Sequence, residues 1–375
     1  MVIIGLMSGT SLDGIDLACC QFNAVGCGVD YTVLAAETVP YSPHWTARLA
    51  TLEQASALDY ALADVQLGHL LGREIKSFVL RHNLSVDAIA SHGHTIFHQP
   101  ERGLTTQIGD LDAIAAETGL PVVGRFRQLD VALGGQGAPL VPIGDRLLYA
   151  NYEARLNLGG ICNISFGDVA FDVAPCNMAL NLLAKRLGQP FDDHGSLARE
   201  GRVLPQLLTA MDALPYYAQS GPKSLGKEWF VANFEPLLDP SINTADLLRT
   251  TTEHIAKQVA NILVANGLGS LLITGGGAHN DFLVELIANH APECNVTVPD
   301  ALTVDYKEAI VFALMGYLRL RGEANCLSSV TGARCNVSGG NISGQMLKSK
   351  TAKNRFFDSI NLHKMLEISV LGAFM

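Results

Sequence analysis

Three times along the chain, a short apolar run opens directly into a loop dense in glycine. VIIGLM (2–7) runs into SGTSLDGI, ARLNLGGICNISFG (154–167) reads as strand, glycine turn and strand, and LLIT (271–274) runs into GGGAHN. Glycine at the end of a buried strand lets the backbone approach a ligand closely, and in α/β folds ligands collect at the carboxyl ends of strands. Longer stretches with helical periodicity lie between these runs, so strand and helix alternate as in an α/β protein. Residues 53–81 carry Leu58, Leu62, Val65, Leu67, Leu70 and Leu71 at three- and four-residue spacing. DLDAIAAETG (110–119) has Asp110 as N-cap and Gly119 as stop, residues 244–266 start at Asn243 or Thr244, and AIVFALMGYLRLRG (309–322) reads as a largely buried helix ended by Gly322. DAIASHG (87–93) reads as a strand entering a loop, and FRQLDVALGGQGAPLVP (126–142) carries the weakest secondary-structure signal.

At 375 residues the chain exceeds a single ordinary core, and with 48% apolar and 17% charged residues it is not a disordered one. The hairpin at 154–167 mirrors in type the one formed by VIIGLM and DLACCQF (16–22), which predicts a duplicated architecture. The expected domains are 1–142 and 143–343, followed by an appended tail at 344–375. That tail holds Lys348, Lys350, Lys353, Arg355 and Lys364 against Asp358 and Glu367, whereas the whole chain has a net charge of −10. An acidic protein has the wrong sign to neutralise nucleic-acid phosphates. Eight cysteines without a C-x-x-C pair signal neither a zinc ribbon nor a disulfide framework, and fit a reducing cytoplasm. The N-terminus lacks a basic export signal, and the longest apolar run, 309–318, is half a membrane span, so neither export nor a membrane is expected.

SGTSLDGID (8–16) is the first candidate site. Gly9, Thr10, Ser11, Leu12, Asp13, Gly14, Ile15 and Asp16 would form a turn whose backbone N–H groups cradle phosphate oxygens, with Asp13 and Asp16 holding Mg2+ through water. The alternative is a polar hairpin serving turn geometry only. Gly159, Gly160 and Asn163 in LGGICN, and Gly275, Gly276, Gly277 and Asn280 in TGGGAHN, raise the first reading: three such loops argue for a nucleotide held between two domains. GPKSLGKE (221–228) matches a P-loop only through its lysine, since Glu228 stands where a hydroxyl should meet the metal, and GGQGAP lacks the third glycine of a dinucleotide fingerprint. Asp130, between Arg125 and Arg127 and the GGQG loop, is either a partly desolvated base or the ion-pair partner of an arginine. His92, His94 and His98 share a strand pattern but have no fixed cysteine or carboxylate beside them, which reads as loop or core histidines before a metal site.

GLMSGTSLDGID (5–16), SHGHTIFHQP (91–100), QIGDLDAIAAETG (107–119), FRQLDVALGGQGAPLVP, LNLGGICNIS (156–165), TGGGAHN and SSVTGA (328–333) together resemble the anhydro-N-acetylmuramic acid kinase family, a branch of the actin-like and sugar-kinase ATPase fold. The resemblance covers about residues 1–343 and implies two ribonuclease-H-like domains flanking a cleft for ATP and Mg2+. It implies that Gly9–Asp16 and LNLGGICN are the two phosphate loops, that TGGGAHN lies under the adenosine, and that Asp130 is the catalytic base. Asp13 and Asp172 are then the expected metal ligands. Such a kinase hydrolyses the bond between C1 and O6 of anhydro-N-acetylmuramic acid and phosphorylates O6, serving peptidoglycan recycling. FDVAPCN (171–177) departs from the family's FDTGPGN, and His94 replaces its usual glutamine. Cys176, with no base evident beside it, is expected to be a packing substitution. A nucleotide-binding regulator of the same fold and a plain sugar kinase are the competing functions, and the sequence leaves open a homodimer.

Overall fold

In the computed structural model, which describes residues 1–9, 12, 14–26, 28–167, 169–219 and 223–344, the strand-forming runs assemble into two mixed sheets. The first contains β1 (Val2–Ser8), β2 (Gly14–Val25), β3 (Gly28–Pro40), β4 (Ala88–Gln99), β5 (Leu104–Ile108) and β6 (Val122–Gly124). β1, β2 and β3 run antiparallel in sequence, while β4 pairs parallel to β1 and β6 parallel to β4. β5 folds back antiparallel on β4. The second sheet contains β7 (Ala154–Leu158), β8 (Ile161–Phe166), β9 (Val169–Pro175), β10 (Ser270–Thr274) and β11 (Asn295–Thr297), with β7, β8 and β9 antiparallel and β10 and β11 parallel to β7. With β5 and the edge strand Asn341–Ser343 set aside, both sheets have the strand order 3-2-1-4-5 with the second strand antiparallel, which is the ribonuclease-H-like arrangement. The chain is an α/β protein in which one sheet topology occurs twice.

Central strands covered on both faces must be apolar throughout, and β1 obeys this rule: Ile3, Ile4 and Leu6 have no exposed surface. Gly5 lets a helix lie directly on the sheet, since a Cβ there would stand 1.8 Å from the Ala309 carbonyl oxygen. The helix Ala57–Arg81 begins where the Ser56 side chain accepts from the Asp59 N–H, four residues later than the periodicity alone suggests. Its buried stripe follows Ala63, Leu67, Leu71, Ile75 and Phe78, whereas Leu58, Leu62 and Val65 are exposed. Leu58 lies about half a turn round the axis from Leu67 at ~100° per residue, so the apolar cluster read from spacing mixes two faces. The helix Leu111–Thr118 lies against this one at Gly68, where a Cβ would meet the Asp110 carbonyl oxygen at 2.5 Å.

The described residues form two compact units, Met1–Ile143 with the chain from Glu308 onward, and Gly144–Lys307. This division differs from the expected 143–343 segment, because residues 308–343 return to the first unit. Two contacts cause the return. Gly316 packs on Ala90 of β4, where a Cβ would come within 2.5 Å of the alanine Cβ, and the strand Asn341–Ser343 pairs antiparallel with β6. The helix Ala301–Leu320 carries the crossing, with non-helical backbone at Tyr306 (φ −112°, ψ 16°). The first unit packs Ile4, Leu6, Leu67, Phe78 and Ile89, and the second packs Leu156, Ile164, Ile255, Leu271 and Leu283. The tail from residue 345 on, like Thr10, Ser11 and Asp13, lies outside the described residues.

Candidate functional site

The first glycine turn joins β1 to β2. Its described part is tight: Leu12 adopts φ 60° and its N–H donates to the Gly9 carbonyl at 3.4 Å. Beneath it, buried Ser8 shares its hydroxyl with the Tyr41 hydroxyl at 2.7 Å and with His94 Nδ1 at 2.9 Å. Burial pushes the His94 imidazole below its ordinary value, so it is neutral at pH 7 and supports the turn as a hydrogen-bonding group. Gly14, Ile15 and Asp16 are strand residues of β2; Ile15 is buried in the core, and Asp16 Oδ1 accepts from the Thr38 hydroxyl at 2.6 Å.

The second turn occupies the same topological position, between β7 and β8. The Gly160 carbonyl accepts from the N–H groups of Cys176 and Met178, and the Gly159 carbonyl from that of Asn177. The start of the helix Asn177–Arg186 is thereby satisfied by the loop's own oxygens. A Cβ at Gly160 would meet nothing within 4 Å, leaving the outer side of the turn open. Asn163 is exposed on β8. Asp172, on β9, has Oδ2 accepting from Leu225 N–H at 2.8 Å, and burial raises its carboxyl above the ordinary range. Cys176 is fully buried, and a hydrogen bond with Cys162 together with burial holds its thiol well above the usual value. A thiol kept protonated is a packing group here, not a nucleophile.

The segment after β9 also receives the lysine of the P-loop look-alike. Lys223 Nζ donates to the carbonyls of Tyr216 and Gln219. Its charge is spent on capping a turn. The three histidines of β4 are likewise engaged within the protein: His92 Nδ1 contacts the Gly93 carbonyl, His94 meets Ser8, and His98 Nδ1 contacts the Thr105 hydroxyl.

After β10, the three glycines divide the work. Gly275 (φ 83°) and Gly277 permit close packing on β7, since Cβ atoms there would stand 2.4 Å from Asn157 Oδ1 and 2.7 Å from Leu158 Cβ, whereas Gly276 faces open space. Gly276, Gly277 and Asn280 line a cavity of about 460 Å³ with Asn177, Leu180, Asn181, Phe191, Asp192, Asp193, His194 and His279. Phe191 leaves 53% of its surface exposed at this cavity. Asp192 accepts from the N–H groups of Leu197 and Ala198, and His194 Nδ1 contacts Asp281 at 2.8 Å. An aromatic face, glycine backbone and amide side chains suit a nucleoside, while two carboxylates disfavour phosphate in this part. Phe191 and the DDH that follows were missed from sequence; their one signal is an aromatic residue set among turn-forming polar ones.

Asp130 sits in the short helix Gln128–Ala132 with no exposed surface. Its Oδ2 accepts from the Gly137 N–H at 2.8 Å, and its Oδ1 from the hydroxyl of Thr331 at 2.7 Å and the thiol of Cys326 at 3.2 Å. The arginine alternative is not what forms: Arg127 Nε donates to His92 Nε2 at 3.0 Å and Nη1 to the Gly137 carbonyl at 2.7 Å. His92, pushed down to about 3 by burial and by the charge of Arg127, takes that bond as a neutral acceptor. Arg127 thus fixes the GGQG turn while hydrogen-bond donors alone converge on the carboxylate. Thr331 and Cys326 were not foreseen, being about two hundred residues away in sequence.

With this geometry in place, comparison with known proteins decides the family. The anhydro-N-acetylmuramic acid kinase profile matches residues 1–345. The chain belongs to that family. It is 36% identical over 355 residues to an anhydro-N-acetylmuramic acid kinase of Aliivibrio fischeri, covering 88% of this chain and 95% of the relative. It is 35% identical over 357 residues to one of Sulfurovum sp., covering 90% and 98%. A solved activator of 2-hydroxyisocaproyl-CoA dehydratase from Clostridium difficile is similar at a TM-score of 0.42 and 11% identity, covering 86% of this chain and 96% of that one. The family consists of ATP-dependent kinases. Among the described residues no helix is long and apolar enough to cross a membrane.

Proposed function

We propose that this chain takes 1,6-anhydro-N-acetylmuramic acid, ATP and water to N-acetylmuramic acid 6-phosphate and ADP in the cytoplasm, with Asp130 as the base. The carrying observation is the Asp130 carboxylate, gripped by three donors beside the GGQG turn. In the proposed step Asp130 takes a proton from water as its oxygen attacks C1. The C1–O6 bond breaks with its electrons going to O6, and O6 attacks the γ-phosphoryl of ATP. Inverting glycoside hydrolysis ordinarily needs a base and a separate acid. Here the phosphoryl group receives the leaving oxygen, so one carboxylate is enough. Because Asp130 has no exposed surface, this reading requires access to its carboxylate to open when the sugar binds.

The turns at Gly9–Leu12 and Gly159–Gly160 are the proposed phosphate loops, and the cavity at Gly276, Gly277 and Phe191 the nucleoside site. Among the described residues no cluster of three or more His, Cys, Asp or Glu is placed to cage a metal. Mg2+ keeps several waters and is held by one or two carboxylates plus substrate phosphates; Asp13, which lies outside the described residues, and Asp172 are the proposed carboxylates. When bound, the ion would neutralise charge on the transferring phosphoryl group.

Asp130→Asn tests the base directly. Turnover should fall by about 10²- to 10⁴-fold while calorimetry still detects ATP binding, and near-normal turnover would end the assignment. Isotope-labelled water should enter C1 of the product; label absent from C1 would leave a plain sugar kinase.

A further inference from the structure

The two oxygens of Asp130 are not equivalent. Oδ1 receives two donors, the Thr331 hydroxyl and the Cys326 thiol. Oδ2 receives one, the Gly137 N–H. A carboxylate oxygen offers about two lone-pair positions, so Oδ1 is filled and Oδ2 keeps one free. The surroundings agree. A Cβ on Gly135 would stand 2.2 Å from Oδ2, so the missing side chain is what leaves that oxygen uncrowded. Thr331 is itself 1% exposed and locked in place: its hydroxyl also meets the Leu327 carbonyl at 3.3 Å, and its own carbonyl accepts from the Gln136 N–H at 2.8 Å. The Arg334 N–H donates to the Leu133 carbonyl at 3.2 Å, stitching the two loops together on either side of the carboxylate. Burial, and next the carboxylate beside it, push the Cys326 thiol up to about 12, so the sulfur keeps its proton and acts as a donor.

We infer that Thr331 and Cys326 are positioning residues that pin Oδ1 of Asp130 and leave Oδ2 as the atom that takes the proton from water. The inference rests on Asp130 being the base. Nearby charged or titratable groups include Arg127, bonded to the Gly137 carbonyl, His92 behind it, and Glu308, whose charge acts on Arg127.

Thr331→Val removes the shorter bond and nearly conserves volume. Its kcat should fall about 10- to 100-fold with KM for sugar and for ATP within about twofold, because ground-state binding does not use the bond. Thr331→Ser restores the hydroxyl and should recover the parent kcat, and Cys326→Ala should lower kcat in smaller degree with both KM values held. A Thr331→Val enzyme with the parent kcat, or a kcat loss that serine does not rescue or that comes with an equal rise in KM, overturns the inference. Should Thr331→Val fail to fold, kcat and KM of Cys326→Ala decide alone. If instead Asp130→Asn retains turnover, the base assignment itself has failed, which is a separate result.

Discussion

The two sheets share strand order and directions, yet the ends of corresponding strands carry opposite kinds of chemistry. In the first unit the fourth strand, β4, carries buried His92 and His94 within it, and the fifth, β6, leads to Asp130. In the second, the fourth strand, β10, stops in Gly275–Gly277 beside an open cavity with an exposed phenylalanine. Buried polar groups held by several hydrogen bonds can keep one atom in one place, as acid–base work demands. Open glycine backbone and an aromatic face accommodate a flat ligand. A duplicated topology has fixed where the loops emerge, and loop composition has given each unit its own kind of surface there.

The sharpest way to break this comparison is Asp130→Asn, expected to remove turnover but not ATP binding; loss of both together would show that the Asp130 carboxylate also serves nucleotide binding. Next comes the glycine pair. Gly275→Ala forces a Cβ against Asn157 in backbone that only glycine adopts comfortably and should cost about 2–4 kcal/mol in urea unfolding, while Gly276→Ala should cost about 1 kcal/mol or less. Equal costs would mean that the two glycines do the same work. Phe191→Ala should raise KM for ATP by about 5- to 100-fold, the range of one base–aromatic stack, with KM for the sugar unchanged. The smallest effect concerns acid.

His92 and His94 in the first unit and His254 in the second all have folded-state values below the ordinary one, chiefly through burial. A group lowered in the folded state stabilises above its unfolded value of about 6.5, and that contribution drains away as pH falls towards the folded value. With His98, also lowered by burial, the first unit has three such histidines and the second one, while exposed His194, raised by its hydrogen bond with Asp281, pulls the second unit the other way. Asp212, which burial raises but His254 and Lys257 bring down to about 2, holds its contribution until far lower pH. The chain's two tryptophans, Trp45 and Trp229, fall one in each unit. Single-tryptophan variants unfolded in urea between pH 7 and 5 should therefore show the steeper loss at Trp45, and equal slopes would contradict the burial argument.

Local signals were legible wherever one short segment settles its own structure. Asp110 and Gly119 bound their helix as expected, Asn243 caps the helix Thr244–Ala265, and both glycine hairpins form. Illegible were features decided by distant packing. The exposed side of Leu58, Leu62 and Val65 follows from Gly68 and Gly72 meeting another helix. The return of residues 308–343 depends on glycines at 5 and 316 that look like any others in the sequence. Asp130 stood out by its loop, but nothing local names Thr331 or Cys326 as its partners, and Phe191 becomes visible only beside a cavity wall from another part of the chain.

The discontinuous first unit has a consequence for how the protein comes into being. A ribosome delivers Met1–Ile143 first, yet that segment emerges without the helix that covers Gly5 and without the edge strand on β6. The second unit, contiguous from Gly144 to Lys307, can complete its sheet earlier, although its synthesis starts later. Until the residues around Thr331 arrive, Asp130 has only the Gly137 N–H of its three donors. A nascent chain cut short within the helix Ala301–Leu320 should therefore hold the cavity of the second unit already formed while Asp130 still lacks two of its three donors, so the finished carboxylate setting is the last feature the growing chain acquires.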